Sequence, residues 1–444
     1  MLKALLFFNL LYVVNEIHFH LATGIPAVAP ANILFLLILW AMRSKTEVLD
    51  TSVRGLLRQP LLYFYGALAL SFLVGEIRST EHFLEDLTFF KNALFYPLFY
   101  FLYLRCRQDE KTTRQLIIWI LVIAAVAGLE GLREGLDYGF GHYNAFHRAS
   151  GPFGPDWHNA NRAGVFYAMF MPMFVAIALF LRGKVWWRLA AVGACILIAG
   201  GTLATYSRQA YFLVLLSFVL LLLRKSIIIA VILGVALVSA ASYLPDSVSQ
   251  RVEDTQTVDK KGHEEIDTST ASRWEIWAAA MNMYRDHPLG VGFHQFSYEL
   301  GNYSSTYKGY DAHNFYVRTL AESGPLGLIT FLLVIRMLFR LTSFVRKNVP
   351  SEDAETRALA YGFTIATMCM AMGGLYGTPT LEGSVMAPYW ALCGLLERYI
   401  HLKLLRGEAP VVEPVAASPS FAERFPLSAH IFPGRGSARP SPVK

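Results

Sequence analysis

Charge is scarce in this chain. Asp, Glu, Lys and Arg make up only 16% of its 444 residues, against 54% hydrophobic ones, a balance too apolar for a soluble domain of ordinary composition. Cysteine is also scarce. Cys106, Cys195, Cys369 and Cys393 fall inside or at the ends of apolar blocks, so no disulfide framework can be read. Paired-histidine metal spacings, phosphate-cradling glycine loops and nucleophile elbows are missing, which argues for chemistry that uses no metal and no cofactor. The net charge of +6 does not imply nucleic acid. The first apolar block has no small-residue cleavage site and carries Glu16, His18 and His20, so it reads as a retained span rather than a removed signal.

What the chain has in abundance is long apolar runs. They lie near residues 2–20, 25–42, 60–76, 88–105, 115–132, 163–181, 187–203, 209–223, 226–243, 325–341, 358–377 and 384–402. The runs are continuous and close to the ~20 residues a helix needs to cross hydrocarbon, unlike the ten-residue alternation of a barrel. The expected fold is an all-α polytopic membrane protein with about twelve transmembrane helices. Residues 1–406 form the membrane-embedded domain. Residues 407–444, rich in proline and poor in apolar runs, are expected to be a disordered tail.

Lys and Arg decide the orientation. They gather in the even connections, as in Arg43 to Arg58, Arg105 to Arg114 and Arg182 to Arg188, and are nearly missing from short odd ones such as 24–27 and 377–383. Both termini and the tail are then cytoplasmic, and the one long polar loop, 244–324, lies on the opposite face. Dividing 187–223 at Thr205 to Gln209 is required to keep that charge bias.

The polar residues on that outer face are the candidates for chemistry. His313 stands in Asp311-Ala-His313-Asn314-Phe-Tyr316. With Asp311 as helix cap, His313 would occupy the first turn, where the positive helix end keeps an imidazole neutral and able to accept a proton. The alternative is an interfacial histidine satisfied by backbone or lipid headgroups. Arg208 lies between two apolar blocks, a costly place for a charge unless it meets a ligand or snorkels to lipid phosphate. Arg273 is expected in the first turn of a helix lying on the bilayer, capped by Ser269 or Thr270. Its planar fork suits phosphate oxygens, and pairing with Glu275 is the other option. The loop from His147 to Asn161 is dense in side chains that bond sugar hydroxyls, and Trp157 and Tyr143 offer flat faces or form an interfacial belt. Arg251 and Gly262 show a spacing noted in sugar polymerases, but glycine is common enough for chance to supply it.

Several motifs occur together in order: Arg148-Ala-Ser-Gly151-Pro-Phe-Gly154 with Asn159, Ser207-Arg208, Arg273-x-x-x-Trp277, Pro288-Leu-Gly290-Val-Gly292-Phe293, and His313-Asn314-x-Tyr316 with Glu322-x-Gly324. Over roughly residues 145–345 the chain resembles the O-antigen ligase and polymerase superfamily of bacterial inner-membrane glycosyltransferases, and within it the ligases. It departs from them in Gly154-Pro-Asp-Trp-His. The resemblance implies a multi-pass inner-membrane enzyme with a large periplasmic loop, 244–324, that contains helices and carries the active site. It implies an undecaprenyl-pyrophosphate-linked glycan as donor, lipid A core oligosaccharide as acceptor, and an inverting displacement. His313 would be the base, with Arg208, Arg273, Arg148, Asn314 and Tyr316 binding substrate. A polymerase or a protein O-oligosaccharyltransferase shares the donor. A transporter or flippase would instead place its charges at mid-membrane.

Overall fold

The computed structural model describes residues 1–16, 18, 29–139, 144, 146–154, 159–241, 256–258, 264–266, 268–349 and 352–407. In chain order the helices are α1 (Leu2–Val14), α2 (Pro30–Met42), α3 (Arg58–Arg78), α4 (Phe83–Phe95), α5 (Leu98–Leu104), α6 (Glu110–Tyr138), α7 (Ala160–Phe180), α8 (Val185–Ala204), α9 (Arg208–Lys225) and α10 (Ile227–Ala241). A two-stranded antiparallel hairpin follows, β1 (Gln256–Val258) and β2 (Glu264–Ile266), which the sequence did not announce. Then come α11 (Thr268–Asp286), α12 (Phe296–Glu299), α13 (Phe315–Lys347), α14 (Ala354–Gly373) and α15 (Gly383–Leu405). The tail beyond residue 407, His20, Tyr143, Trp157, Arg251 and Gly262 lie outside the described residues.

Each apolar block contains a helix. The block at 88–105 is divided between α4 and α5 at Tyr96-Pro97, where proline has no N–H for the helical ladder. The division of 187–223 falls at Thr205 to Ser207, between α8 and α9. Among the described residues five helices, α3, α6, α7, α8 and α13, are long and apolar enough to cross a membrane by length and composition.

The bundle is built round α7. It packs on α6, α8, α9, α14 and α15, and every residue from Ala163 to Ala176 is buried, as expected of a helix apolar on all sides. Small residues allow the close approach: a Cβ added at Gly164 would stand 2.7 Å from the Ala210 Cβ on α9.

Near its start, α13 contains a break that positions everything around it. Gly324 has φ 61° and ψ −166°, and Pro325 follows. Proline cannot donate to the carbonyl four residues back. That carbonyl, Ala321, is taken instead by the Val291 N–H at 2.9 Å, and the next one, Glu322, by the Gly292 N–H at 3.0 Å and the Ser71 hydroxyl at 2.8 Å. A Cβ at Gly290 would meet the Glu322 carbonyl oxygen at 2.2 Å, and Gly290 holds φ 90°, so this motif needs glycine for both space and conformation. Pro288-Leu-Gly-Val-Gly-Phe is thus the strip of backbone that satisfies an interrupted helix.

Candidate active site

A cleft of about 330 Å³ opens where α7 and α9 begin and the connection from α14 to α15 passes over them. Its walls include Asn161 and Arg162 of α7, Gln209 of α9, His294, the Asp311–His313 segment, Arg318 of α13, and Tyr376, Thr378 and Glu382.

His313 is 44% exposed in its side chain and holds φ 50°, a left-handed conformation unusual outside glycine. It lies before the helix, not in its first turn. The cap of α13 is Asn314, whose Oδ1 accepts the N–H groups of Tyr316 at 2.9 Å and Val317 at 3.1 Å. Asp311, expected as the cap, accepts from the His313 N–H at 3.2 Å, the Arg318 guanidinium at 2.9 Å and the Thr378 hydroxyl at 3.2 Å. It is therefore the hub of the segment. Burial would raise the Asp311 carboxyl, yet Arg318 and His313 beside it hold it below the ordinary carboxylate value. Burial pushes the His313 imidazole below its ordinary value; Asp311, 4.0 Å from Nδ1, opposes this and Arg273 adds to it.

Arg273 sits in the second turn of α11, not the first, because that helix already begins at Thr268. One turn further on, the Trp277 indole N–H donates to the Ala312 carbonyl at 2.8 Å, pinning α11 to the segment that carries His313. The Arg273 guanidinium lies 5.8 Å from the Tyr376 ring centroid at the cleft wall. Arg273 and His313 are thus brought together.

The other sequence candidates are placed differently. Arg208 is the first residue of α9 and adjoins Gln209, which lines the cleft; Arg208 does not line it. Arg148 is buried and braces the wall, donating to the Thr205 carbonyl at 2.9 Å and to Asn161 Oδ1 at 2.7 Å. Its loop is held further by Glu134, which accepts the Ser150 and Gly151 N–H groups at 2.9 and 2.7 Å. The Asn314 side chain is committed to capping, and the Tyr316 hydroxyl donates to the Ala371 carbonyl at 2.7 Å.

Three groupings in the cleft escaped the sequence reading. Arg318 is 8% exposed and pairs with Glu322 at 2.9 Å as well as Asp311. Arg162 bridges Glu382 at 2.7 Å and Asn159 Oδ1 at 2.7 Å. Burial raises the Glu382 carboxyl despite Arg162 and Arg318, favouring its neutral form. Finally, His294, with φ 67°, places Nδ1 2.7 Å from the buried Asp86 carboxylate of α4 and stacks on Phe89 at 3.9 Å between centroids. Asp86 also accepts from the Gln295 amide. The i,i+4 spacing of Arg318 and Glu322 was visible in the sequence. Contacts between Asp86 and His294, 208 residues apart, were not.

Residues 193–332 match the family model described as O-Antigen ligase, a stretch that runs from α8 through Arg208, Arg273 and His313 into α13. No curated protein matches the chain.

Proposed function

We propose, on the premise that the chain belongs to the O-antigen ligase and polymerase superfamily, that it is an O-antigen ligase. In this reading it is a multi-pass protein of the bacterial inner membrane with its cleft facing the periplasm. It transfers polysaccharide from undecaprenyl pyrophosphate to lipid A core oligosaccharide. The observation that supports it is a cleft-lining His313, biased toward its neutral form, with the Arg273 cation close enough to act on it from behind the Tyr376 ring of the cleft wall.

The chemistry follows from that pair. An acceptor hydroxyl attacks the anomeric carbon, its proton passes to His313, and the bond to the pyrophosphate oxygen breaks with the electron pair leaving on phosphate. Arg273, and Arg208 at the start of α9, bind the pyrophosphate and stabilise its growing charge. Because the lipid pyrophosphate is already a leaving group, the reaction needs no metal, and a single displacement inverts the anomeric carbon.

The lipopolysaccharide of a strain lacking the gene tests the function. Long chains should vanish from lipid A while lipid-linked polymer accumulates. Core bearing a single repeat unit would instead mean a polymerase, and unchanged lipopolysaccharide with glycan missing from proteins would mean a protein O-oligosaccharyltransferase.

In purified enzyme with a lipid-pyrophosphate donor, Arg273→Ala should lower turnover by about 10²–10³, the usual effect of losing one donor to a developing oxyanion. Arg273→Lys should recover only part, since the planar fork is lost. Arg273 also holds the His313 imidazole down, so in Arg273→Ala the acid limb of the rate profile should move to higher pH. An unmoved limb would mean that the guanidinium and imidazole do not interact. Full activity in Arg208→Ala would remove that residue from the mechanism.

One observation favours a second reading of the base. His294 has its Nδ1 on buried Asp86, leaving Nε2 as the proton-accepting nitrogen on a ring that lines the same cleft. If His294 is the base, His294→Gln should cost more turnover than His313→Gln, and Asp86→Asn should follow it by disturbing the imidazole tautomer. The reverse ranking leaves His294 as a wall residue.

A further inference from the structure

The three helices that frame the cleft, α7, α9 and α14, also frame a second cavity at their other ends. It measures about 570 Å³ and is lined by Phe180 ending α7 and Arg182 just after it, Arg224 and Lys225 ending α9, and Arg357 and Tyr361 near the start of α14. Four of these side chains are cationic and none is a carboxylate. At ~1.5 Å per residue, the 21 residues of α7 separate the two cavities by about 30 Å, roughly the thickness of bilayer hydrocarbon.

Cations at helix C-termini have an ordinary explanation in the helix dipole, and Lys and Arg at span ends have another in membrane orientation. Neither requires four of them to converge on one concavity. The acids nearby are already engaged. Asp353 takes Lys403, and Glu355 takes both Arg114 and Lys184. Among the described residues Arg182, Arg224, Lys225 and Arg357 show no carboxylate partner. Two of them have aromatic partners: the Arg224 guanidinium lies 4.1 Å from the Tyr361 ring centroid, Lys225 Nζ lies 5.5 Å from that of Phe180, and the two rings meet edge to face at 4.8 Å. The aromatic walls fix Arg224 and Lys225 without neutralising them.

We infer that this cavity binds a phosphate oxyanion, as borne by the headgroup of an anionic phospholipid, which would tie α7, α9 and α14 together at the end away from the cleft. Guanidinium groups from two helices offer forks to phosphate oxygens, and basic pockets between membrane helices bind such headgroups. The site stands apart from the proposed reaction and does not depend on it.

The test is binding of phosphatidylglycerol to the full chain in detergent, with phosphatidylcholine as control and Arg224→Ala/Arg357→Ala as the variant. With each interfacial cation contributing about fivefold to affinity, the double variant should bind phosphatidylglycerol about 30-fold more weakly. Inorganic phosphate in competition separates the sources. Displacement at millimolar concentration means that the phosphate group alone suffices, and resistance to it means that the whole lipid headgroup is read; either supports the site. Equal binding of the two lipids by the wild type, or equal binding of phosphatidylglycerol by wild type and variant, would overturn it. If the variant fails to fold, the wild type still decides: its preference for phosphatidylglycerol must shrink as salt rises, and a salt-independent preference would also overturn the assignment.

Discussion

Replacing His313 by glutamine is expected to lower turnover by about 10²–10⁴, the range lost with a general base. Glutamine can keep a hydrogen bond but cannot carry the proton away, so His313→Ala should fare no worse than a few-fold beyond it. The wild-type rate should fall as the imidazole is protonated. Burial and Arg273 lower that ionisation against the pull of Asp311, so the loss should set in below the ordinary histidine value of 6.5 rather than at it. Donor binding measured on the same variant makes the test specific. Near-normal turnover, or a pure loss of donor affinity with the chemical step intact, would remove His313 from the role of base.

Arg318→Ala should be the most destabilising single change at the cleft. The guanidinium is almost wholly buried between Asp311 and Glu322, each at 2.9 Å. Its removal leaves the buried Glu322 and the partly buried Asp311 without their shared counter-charge, a loss of about 3–5 kcal/mol for a broken buried pair. The unfolding midpoint in detergent reports it. Arg318→Lys should lie between the two, because an ammonium cannot reach both acids with the geometry of the fork. A shift below about 1 kcal/mol would mean that the carboxylates regain water or a proton at little cost. Asp311 also holds the His313 N–H, so variants that remain folded should show altered chemistry as well as altered stability.

These side chains show where sequence was informative. Apolar runs and their interruptions are local, and the helices fall on them, down to the break between α8 and α9. Arg273-x-x-x-Trp277 and His313 could be marked as notable because each sits in a short pattern, and the structure sets Arg273 against Tyr376, a wall residue of the cleft that His313 lines. The cap of α13 was misread because both Asp311 and Asn314 are good caps, and only the Arg318 and Thr378 contacts of Asp311 show which was free for the task. Arg162 with Glu382, and His294 with Asp86, depend on pairings across more than two hundred residues, for which a single sequence contains no periodicity.

The kink in α13 bears on the order in which the chain can take shape. Its freed carbonyls are claimed by Val291 and Gly292, just before it in the sequence, but also by the Ser71 hydroxyl of α3, 251 residues from Glu322. A chain made from its N-terminus exposes α3 long before this partner exists. Ser71 must therefore wait, and the cleft cannot close until synthesis has passed Pro325. Truncations ending short of that residue should leave the earlier helices without the contact that joins them to the segment before α13, which makes completion of the cleft one of the last events in assembly.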